Sequence, residues 1–263
     1  FTYTIEDNEQ EVIFVNQNTP CTGDECNGTS WDKAFHHPQE AINIVNETKD
    51  EIWVAKGSYK LLSGLGGPVL NINTNQDIKL YGGFIGNERK REERNYTNNV
   101  TLIDAQKRYS ILWSSATGYD VSIDGFQFAN DDLPVYNRSL NFYNKSVILR
   151  NCRFYQINSS IEITGQNNGE MIIDNCLFEN NFSNVQITGH NPIIKSSRFI
   201  NNKTTGNGGA LNISGGHPYI TNCYFYDNSA YSPSGSGGSI HYLCVNDKTG
   251  LIVTNCMFVK NTA

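Results

Sequence analysis

One phrase recurs along this chain and limits its fold more than any other feature. It is an apolar strand followed by Asn-Cys, any residue, Phe, two further residues and, in most copies, Asn. The phrase reads "VILRNCRFYQ" from Val147, "IIDNCLFENN" from Ile172, "YITNCYFYDN" from Tyr219 and "IVTNCMFVKN" from Ile252, with degenerate copies in "IDGFQFAN" and "IIKSSRFINN". Its phenylalanines, Phe128, Phe154, Phe178, Phe199, Phe225 and Phe258, lie 21 to 33 residues apart. Such uneven spacing excludes a repeat of fixed length and suits coils whose turns vary while their strands stay in register. Within "IIDNCLFEN" the alternation places Ile173, Cys176 and Phe178 inside and Leu177 and Glu179 outside, and its break at Asp174-Asn175 marks a bend between two strands.

Coils of this length, built from short strands and bends rich in Gly and Asn, predict an all-β chain folded as a right-handed parallel β-helix. Coils stack at about 4.8 Å, so equivalent residues form ladders along the axis. Phe then fills the interior as an aromatic stack, and Cys is its small buried neighbour. Asn tolerates the left-handed bend and can bond to the Asn of the next coil. The Gly-Gly pairs in "NGGALNI" and "SGGSIHY" mark positions where φ is positive or backbones pack closely. Cys152, Cys176, Cys223 and Cys256 are expected to point inward with Ser197 between the two pairs. Buried free thiols are favoured over the bridges 152 with 176 and 223 with 256, and the state of Cys244 is left open.

Composition narrows the partners. A net charge of -6 with scattered Lys and Arg offers no basic face for nucleic acid. No apolar run approaches the roughly 20 residues of a membrane helix. The chain opens without a signal-like segment and reads as mature protein from which any signal has gone. Ten Asn-x-Ser/Thr acceptors occur, at Asn27, Asn46, Asn95, Asn99, Asn137, Asn144, Asn158, Asn181, Asn202 and Asn212. With 35 Asn and 38 Ser plus Thr, random order gives about five, so the excess predicts N-linked glycans on an exported protein. In "CTGDEC", Cys21 and Cys26 bracket a loop that a local disulfide can close, the alternative being two free thiols.

Gly-Gly-Ala-Leu followed by Asn-Cys-x-Phe-x-x-Asn resembles the polymorphic outer membrane protein repeat, found in adhesins and other surface proteins built on pectate-lyase-like β-helices. The resemblance covers Asp120 to Ala263 and implies that fold and a place at the cell surface. "NGTSWDKAFHHPQEAINIV" followed by "DEIWVAKGSYK" resembles the amino-terminal region of secreted β-helix proteins, where a short helix precedes the first coil. From the residues themselves, Thr29 or Ser30 can cap an amphipathic helix that buries Trp31, Ala34, Phe35, Ala41, Ile42 and Val45, with Pro38 as an interruption. Residues 1–50 are therefore assigned to an N-terminal strand and helical cap, and 51–263 to coils, strict from about residue 120. The charge run Glu88 to Arg94 reads as a solvated loop with internal ion pairs.

Evidence for catalysis is slight in the sequence. A hydrolase needs two carboxylates across a groove, and Asp104, Asp120, Asp124, Asp131 and Asp132 are available among 26 acids. Asn130, Asp131 and Asp132 offer oxygen ligands for calcium, though a solvated turn is the plainer reading. His36-His37 reads as surface, and His190, His217 and His241 lie near bends. Cysteines one coil apart converge poorly on zinc. The sequence thus predicts a secreted or cell-surface glycoprotein serving as an extended non-catalytic scaffold for adhesion or extracellular assembly. No catalytic or metal residues are expected, and no cofactor beyond N-linked glycans, with calcium as the weaker alternative. Expected partners are other extracellular proteins, copies of itself, or glycans. The competing class is a polysaccharide lyase or hydrolase, with a glycan-binding module between the two. The last unit, "NCMFVKNTA", carries no polar cap, so either further coils beyond Ala263 or a second molecule is expected to cover it. Phe1, Tyr3 and Ile5 alternate as an added strand would, and they are one candidate cover.

Overall fold

A computed structural model describes residues 11–62, 67–106, 110–129, 140–165, 169–189, 191–233, 235–244 and 250–263. The chain is a right-handed parallel β-helix. Each coil passes through three sheets in turn, of nine, eight and seven strands among the described residues. The first sheet runs from Val12–Val15 to Ile252–Thr254, the second from Gly57–Lys60 to Met257–Val259, and the third from Leu70–Ile72 to Ile240–Leu243. Neighbouring strands are parallel throughout, each paired with its counterpart one coil away. From Asp120 onward, length differences between coils fall mainly in the connections into and out of the third sheet, such as 203–210 and 229–239, whereas 85–100 is a long connection from the first sheet to the second; the strands stay in register.

Alternation decides what each sheet buries. The first sheet points Val147, Leu149, Met171, Ile173, Ile194 and Ile220 inward, and the third contributes Leu140, Phe142, Ile161, Ile163, Leu211 and Ile213 to the same continuous core. From the second sheet Phe128, Phe154, Phe178, Phe199 and Phe225 enter at 0 or 1% exposure. Their rings stack with Phe258 as the last member, at centroid distances of 5.0, 4.6, 4.9, 4.9 and 4.7 Å and nearly parallel planes. Backbone pairing sets this spacing, and each ring contact adds about 0.5 to 1.5 kcal/mol beyond area burial.

The bends follow from two residues in left-handed conformation. Between the first and second sheets stand Gly125, Asn151, Asn175, Ser196, Asn222 and Asn255, with φ from 49° to 81°. Gln156, Asn180, Asn201, Asp227 and Lys260, with φ from 53° to 57°, turn the chain out of the second sheet. At the first bend the asparagines bond along the axis: Asn175 donates to Asn151 at 2.7 Å, Asn151 to Asp124 at 2.7 Å, and Asn255 to Asn222. The Gly-Gly pairs serve close approach, since a Cβ on Gly209 would lie 2.1 Å from the Gly238 carbonyl oxygen.

Cys152, Cys176 and Cys223 are buried free thiols, Cys256 is half-buried and Cys244 is exposed. The thiols of Cys152, Cys176, Cys223 and Cys256 donate to carbonyls at the strand ends, as Cys152 does to Arg150 at 3.1 Å. Ser197 keeps the row intact: its hydroxyl accepts from the Cys176 amide at 3.1 Å, as the Cys256 sulfur accepts from Cys223 at 3.4 Å. Burial pushes the Cys176 thiol well above its usual range and Cys223 up to about 12, so the nucleophilic thiolate is suppressed at both.

The amino-terminal cap departs from expectation. Neither Thr29 nor Ser30 caps an amphipathic helix. Residues Trp31–Lys33 form one 3-10 turn, and the only α-helical segment among the described residues is Pro38–Ile42. Pro38 starts this turn instead of interrupting a helix, because a first-turn proline has no intrahelical N–H bond to lose. His37, expected at the surface, is buried and acts as the N-cap: its Nδ1 accepts from the Gln39 amide at 3.1 Å, while Glu40 accepts from the His37 amide at 2.8 Å. The turn packs Ala41 and Ile42 into the core, and the Gln39 side chain pairs with the Asn71 backbone in both directions (2.7 and 3.0 Å). A side-chain amide thereby covers the first edge of the third sheet. Phe1, Tyr3 and Ile5 lie outside the described residues.

Two expected outcomes follow from this packing. Phe178→Ala removes a ring stacked on both faces and should cost about 3 to 5 kcal/mol in urea unfolding; a loss below about 1 kcal/mol would contradict the buried stack. Burial also lowers the His37 pKa, opposed by the Lys60 backbone and the Glu40 carboxylate. The neutral ring is the capping form, so its contribution is whole above about pH 6.5 and is lost as pH falls from there through the lower folded value. Urea midpoints of wild type should therefore fall below about pH 6.5 faster than those of His37→Asn, which caps without titrating. Identical pH slopes in the two proteins would contradict this role.

Candidate functional site

Residues that recur from coil to coil are used up inside the helix and at its bends, which makes the outer faces the place to look for function. At the amino-terminal end the outside is covered. Phe14 and Trp53 point outward from the first sheet and pack with Trp31 and Phe84, with Trp53 stacked on Phe84 at 4.7 Å. The charge run 88–94, read from sequence as a solvated loop, is a strap over this surface. Glu88 is buried and accepts from the amides of Ile85, Gly86 and Asn87 at 2.7, 3.0 and 3.1 Å. Arg94 is paired with Asp124 at 2.9 Å and donates to the carbonyls of Gly82 and Asp124, with both side chains only 11% exposed. Sequence counting treated these charges alike, whereas those beneath the strap have lost most of their water.

The acids considered for catalysis are ion-paired where they are described. Asp104 lies 4.0 Å from Lys60, Asp120 lies 3.6 Å from Lys145, and Asp124 belongs to Arg94. Asn130, Asp131, Asp132 and His190 lie outside the described residues. His217 lies in the connection between the third and first sheets, whereas His241, expected near a bend, stands within the strand Ile240–Leu243, with Nδ1 3.0 Å from the amide oxygen of its ladder neighbour Asn212. Among the described residues no group of three His, Cys, Asp or Glu side chains converges as metal ligands, and no helix is long and apolar enough to cross a membrane.

The ten acceptor asparagines separate into groups. Asn27, Asn46 and Asn95 are exposed. In the first two, Oδ1 accepts from the Thr29 or Thr48 amide and hydroxyl, and among the described residues neither Nδ2 is bonded to protein. Asn158 and Asn212 are half-buried, and Asn137 lies outside the described residues. Asn99 is half-buried and gives its Nδ2 to the Gly83 carbonyl at 3.1 Å. Asn144, Asn181 and Asn202 correct the expectation of glycans, being 0, 2 and 2% exposed. Asn181 donates to the Phe154 carbonyl at 3.1 Å and to Asn202 at 2.9 Å, and Asn202 repeats this with Phe178 and Asn228. Their amide nitrogens are committed inside the coil, where a sugar has no room. The Asn that closes the repeated phrase is thus a second, internal ladder, and its fixed offset from Phe was the sequence signal for it. Cys21 and Cys26 form the expected disulfide, with Cα atoms 5.4 Å apart.

Two outward features carry unsatisfied recognition potential. On the third sheet Trp113 is 41% exposed beside Tyr143, at 5.8 Å between rings, and the Tyr143 hydroxyl donates to Glu162 at 3.0 Å. At the second bend an open pocket of about 270 Å³ spans three coils and is lined by Gln156, Asn180, Asn181, Phe182, Asn201 and Lys203. Phe182 is 58% exposed, and Asn201 donates to Asn180 at 2.6 Å. Compared with family models, curated proteins and solved structures, the chain gave no match.

Peptide mapping of protein secreted from a eukaryotic host should find glycan on Asn27, Asn46 and Asn95 and bare Asn144, Asn181 and Asn202. A glycan on Asn181 in folded, monomeric protein would contradict the internal ladder.

Proposed function

We propose that this chain is a non-catalytic extracellular scaffold, secreted or held at a cell surface, that serves adhesion or extracellular assembly. The observation that carries the reading is the division of each coil into constant and variable positions. In the second sheet the inward residue is Phe in six successive coils, while the outward pairs change from Arg153 and Tyr155 to Leu177 and Glu179, Arg198 and Ile200, Tyr224 and Tyr226. Repetition maintains a stiff rod, and the surface is free to differ along it.

Further features favour the same reading. The Cys21–Cys26 disulfide suits an oxidising compartment. Asn27 and Asn46 present their amide nitrogens to solvent as glycan acceptors. The resemblance of the repeat to polymorphic outer membrane proteins points to the cell surface. Against the rival class of polysaccharide lyase or hydrolase, Asp104, Asp120 and Asp124 each face a neighbouring cation, Lys60, Lys145 and Arg94 in turn. Incubation of the purified protein with a polysaccharide panel, read by reducing ends and by unsaturated uronate absorbance, should give no turnover above buffer. Turnover that a single carboxylate substitution abolishes would overturn the proposal in favour of the enzyme.

A further inference from the structure

We infer that the pocket at the second bend is a binding site for an anionic saccharide, a chain carrying uronate carboxylates or sulfate esters, with one sugar unit seated on Phe182. The ladder builds the site. Gln156, Asn180 and Asn201 occupy the same left-handed bend position in three successive coils, so their side chains leave the helix as a row. The next row outward contains Phe182 and Lys203 in neighbouring coils: the Phe182 amide donates to the Ile157 carbonyl at 2.9 Å, and the Lys203 amide to the Asn181 carbonyl at 2.9 Å. The backbones that carry this ring and this ammonium therefore stand one coil apart, about 4.8 Å along the axis, beside a row of amides.

Each lining group fits one part of such a ligand. Phe182 is a large aromatic left 58% exposed, and its face suits the apolar C–H face of a pyranose. In the amide row, Asn180 uses its oxygen to accept from Asn201. Its NH2 remains a donor and the Asn201 oxygen remains an acceptor, the pairing that hydroxyl groups require. Lys203 is the single charged group in the lining, and it has no ion-pair partner among the described residues. It supplies a point charge for a carboxylate or sulfate. Asn181 forms the back wall and is locked by its ladder bonds, so that wall is set before any ligand arrives.

Other ligand classes fit less well. A free phosphate is ordinarily held by converging backbone amides, but here the amides of Asn180, Phe182, Asn201 and Lys203 all donate to carbonyls of neighbouring coils. The same commitment removes the free strand edge on which an extended peptide would add. No carboxylate lines the pocket, so it lacks the oxygen charge that a divalent cation needs. The volume of about 270 Å³ holds one sugar of a longer chain.

Calorimetric titration of the 263-residue protein at low salt with hexagalacturonate, a κ-carrageenan hexasaccharide and cellohexaose tests the assignment. At least one of the two anionic probes should bind, hexagalacturonate alone identifying carboxylate and carrageenan alone sulfate. Phe182→Ala should weaken that binding at least about tenfold, and Lys203→Gln should weaken it about fivefold and remove most of its salt dependence. Both side chains are exposed, so unchanged thermal midpoints will show that the variants are folded. The inference is overturned if neither anionic probe binds, if both variants bind within about twofold of wild type, or if cellohexaose binds as tightly as the anionic probe. Hydrolysis or elimination of a polysaccharide would defeat the scaffold reading and leave this binding result standing.

Discussion

Parallel in-register pairing places every side chain beside its counterpart one coil away, and the rest of the structure depends on that constraint. A residue type can occupy a ladder only if it is compatible with itself at about 4.8 Å. Phenylalanine qualifies by stacking. Asparagine qualifies because it has both a donor and an acceptor, so an indefinite row can be satisfied without a second residue type. Asn181, Asn202, Asn228 and Asn261 form such a row, each oxygen accepting from the preceding coil and each nitrogen donating to a Phe carbonyl. Leaving one of these buried amides unpaired would cost about 1 to 3 kcal/mol, so the row protects the bend it lines.

Charges cannot repeat in this way, because like charges directly opposite repel. The outward column of the first sheet alternates instead, with Asp124 beside Arg150, Arg150 beside Asp174 and Asp174 beside Lys195. Lys195 and Arg150 both approach Asp174, at 3.2 and 4.0 Å. These exposed pairs contribute little each. Their effect is to let charged residues stand on a parallel sheet without opposing it.

Interior ladders leave the outside free to vary, and that is where recognition can reside. The pocket at the second bend arises where a regular row of amides meets an irregular row, with Phe182 and Lys203 in positions that are neighbours in space and unlike in chemistry. The amino-terminal end uses its outer surface differently, since Arg94, Glu88 and the Trp53 cluster are spent on holding a strap and cap. The exposed acceptors Asn27, Asn46 and Asn95 fall in this same region, while the buried ones lie along the coils.

By itself the sequence determined the coil. The period of two around Phe178 and Cys176, the Phe offset shared by six copies and the Asn at four of the six first bends were all legible, because a ladder repeats its chemistry from turn to turn. The Cys21–Cys26 pair was legible for a similar reason, being local in the chain. Tertiary structure decided which acceptor asparagines are surface and which are interior: Asn46 and Asn181 share one acceptor pattern, and although the offset of Asn181 from Phe178 marks a repeated position, the bend geometry is what sends its amide inward. It decided the cap as well, where His37 and Pro38 begin a helical turn that the apolar spacing of Trp31 to Val45 had extended too far. The pocket had no sequence signature, since Gln156, Asn180, Phe182, Asn201 and Lys203 meet only when three coils of unequal length are stacked. Local periodicity records what each residue does within its own coil, whereas contacts between unlike residues of different coils depend on how those coils align.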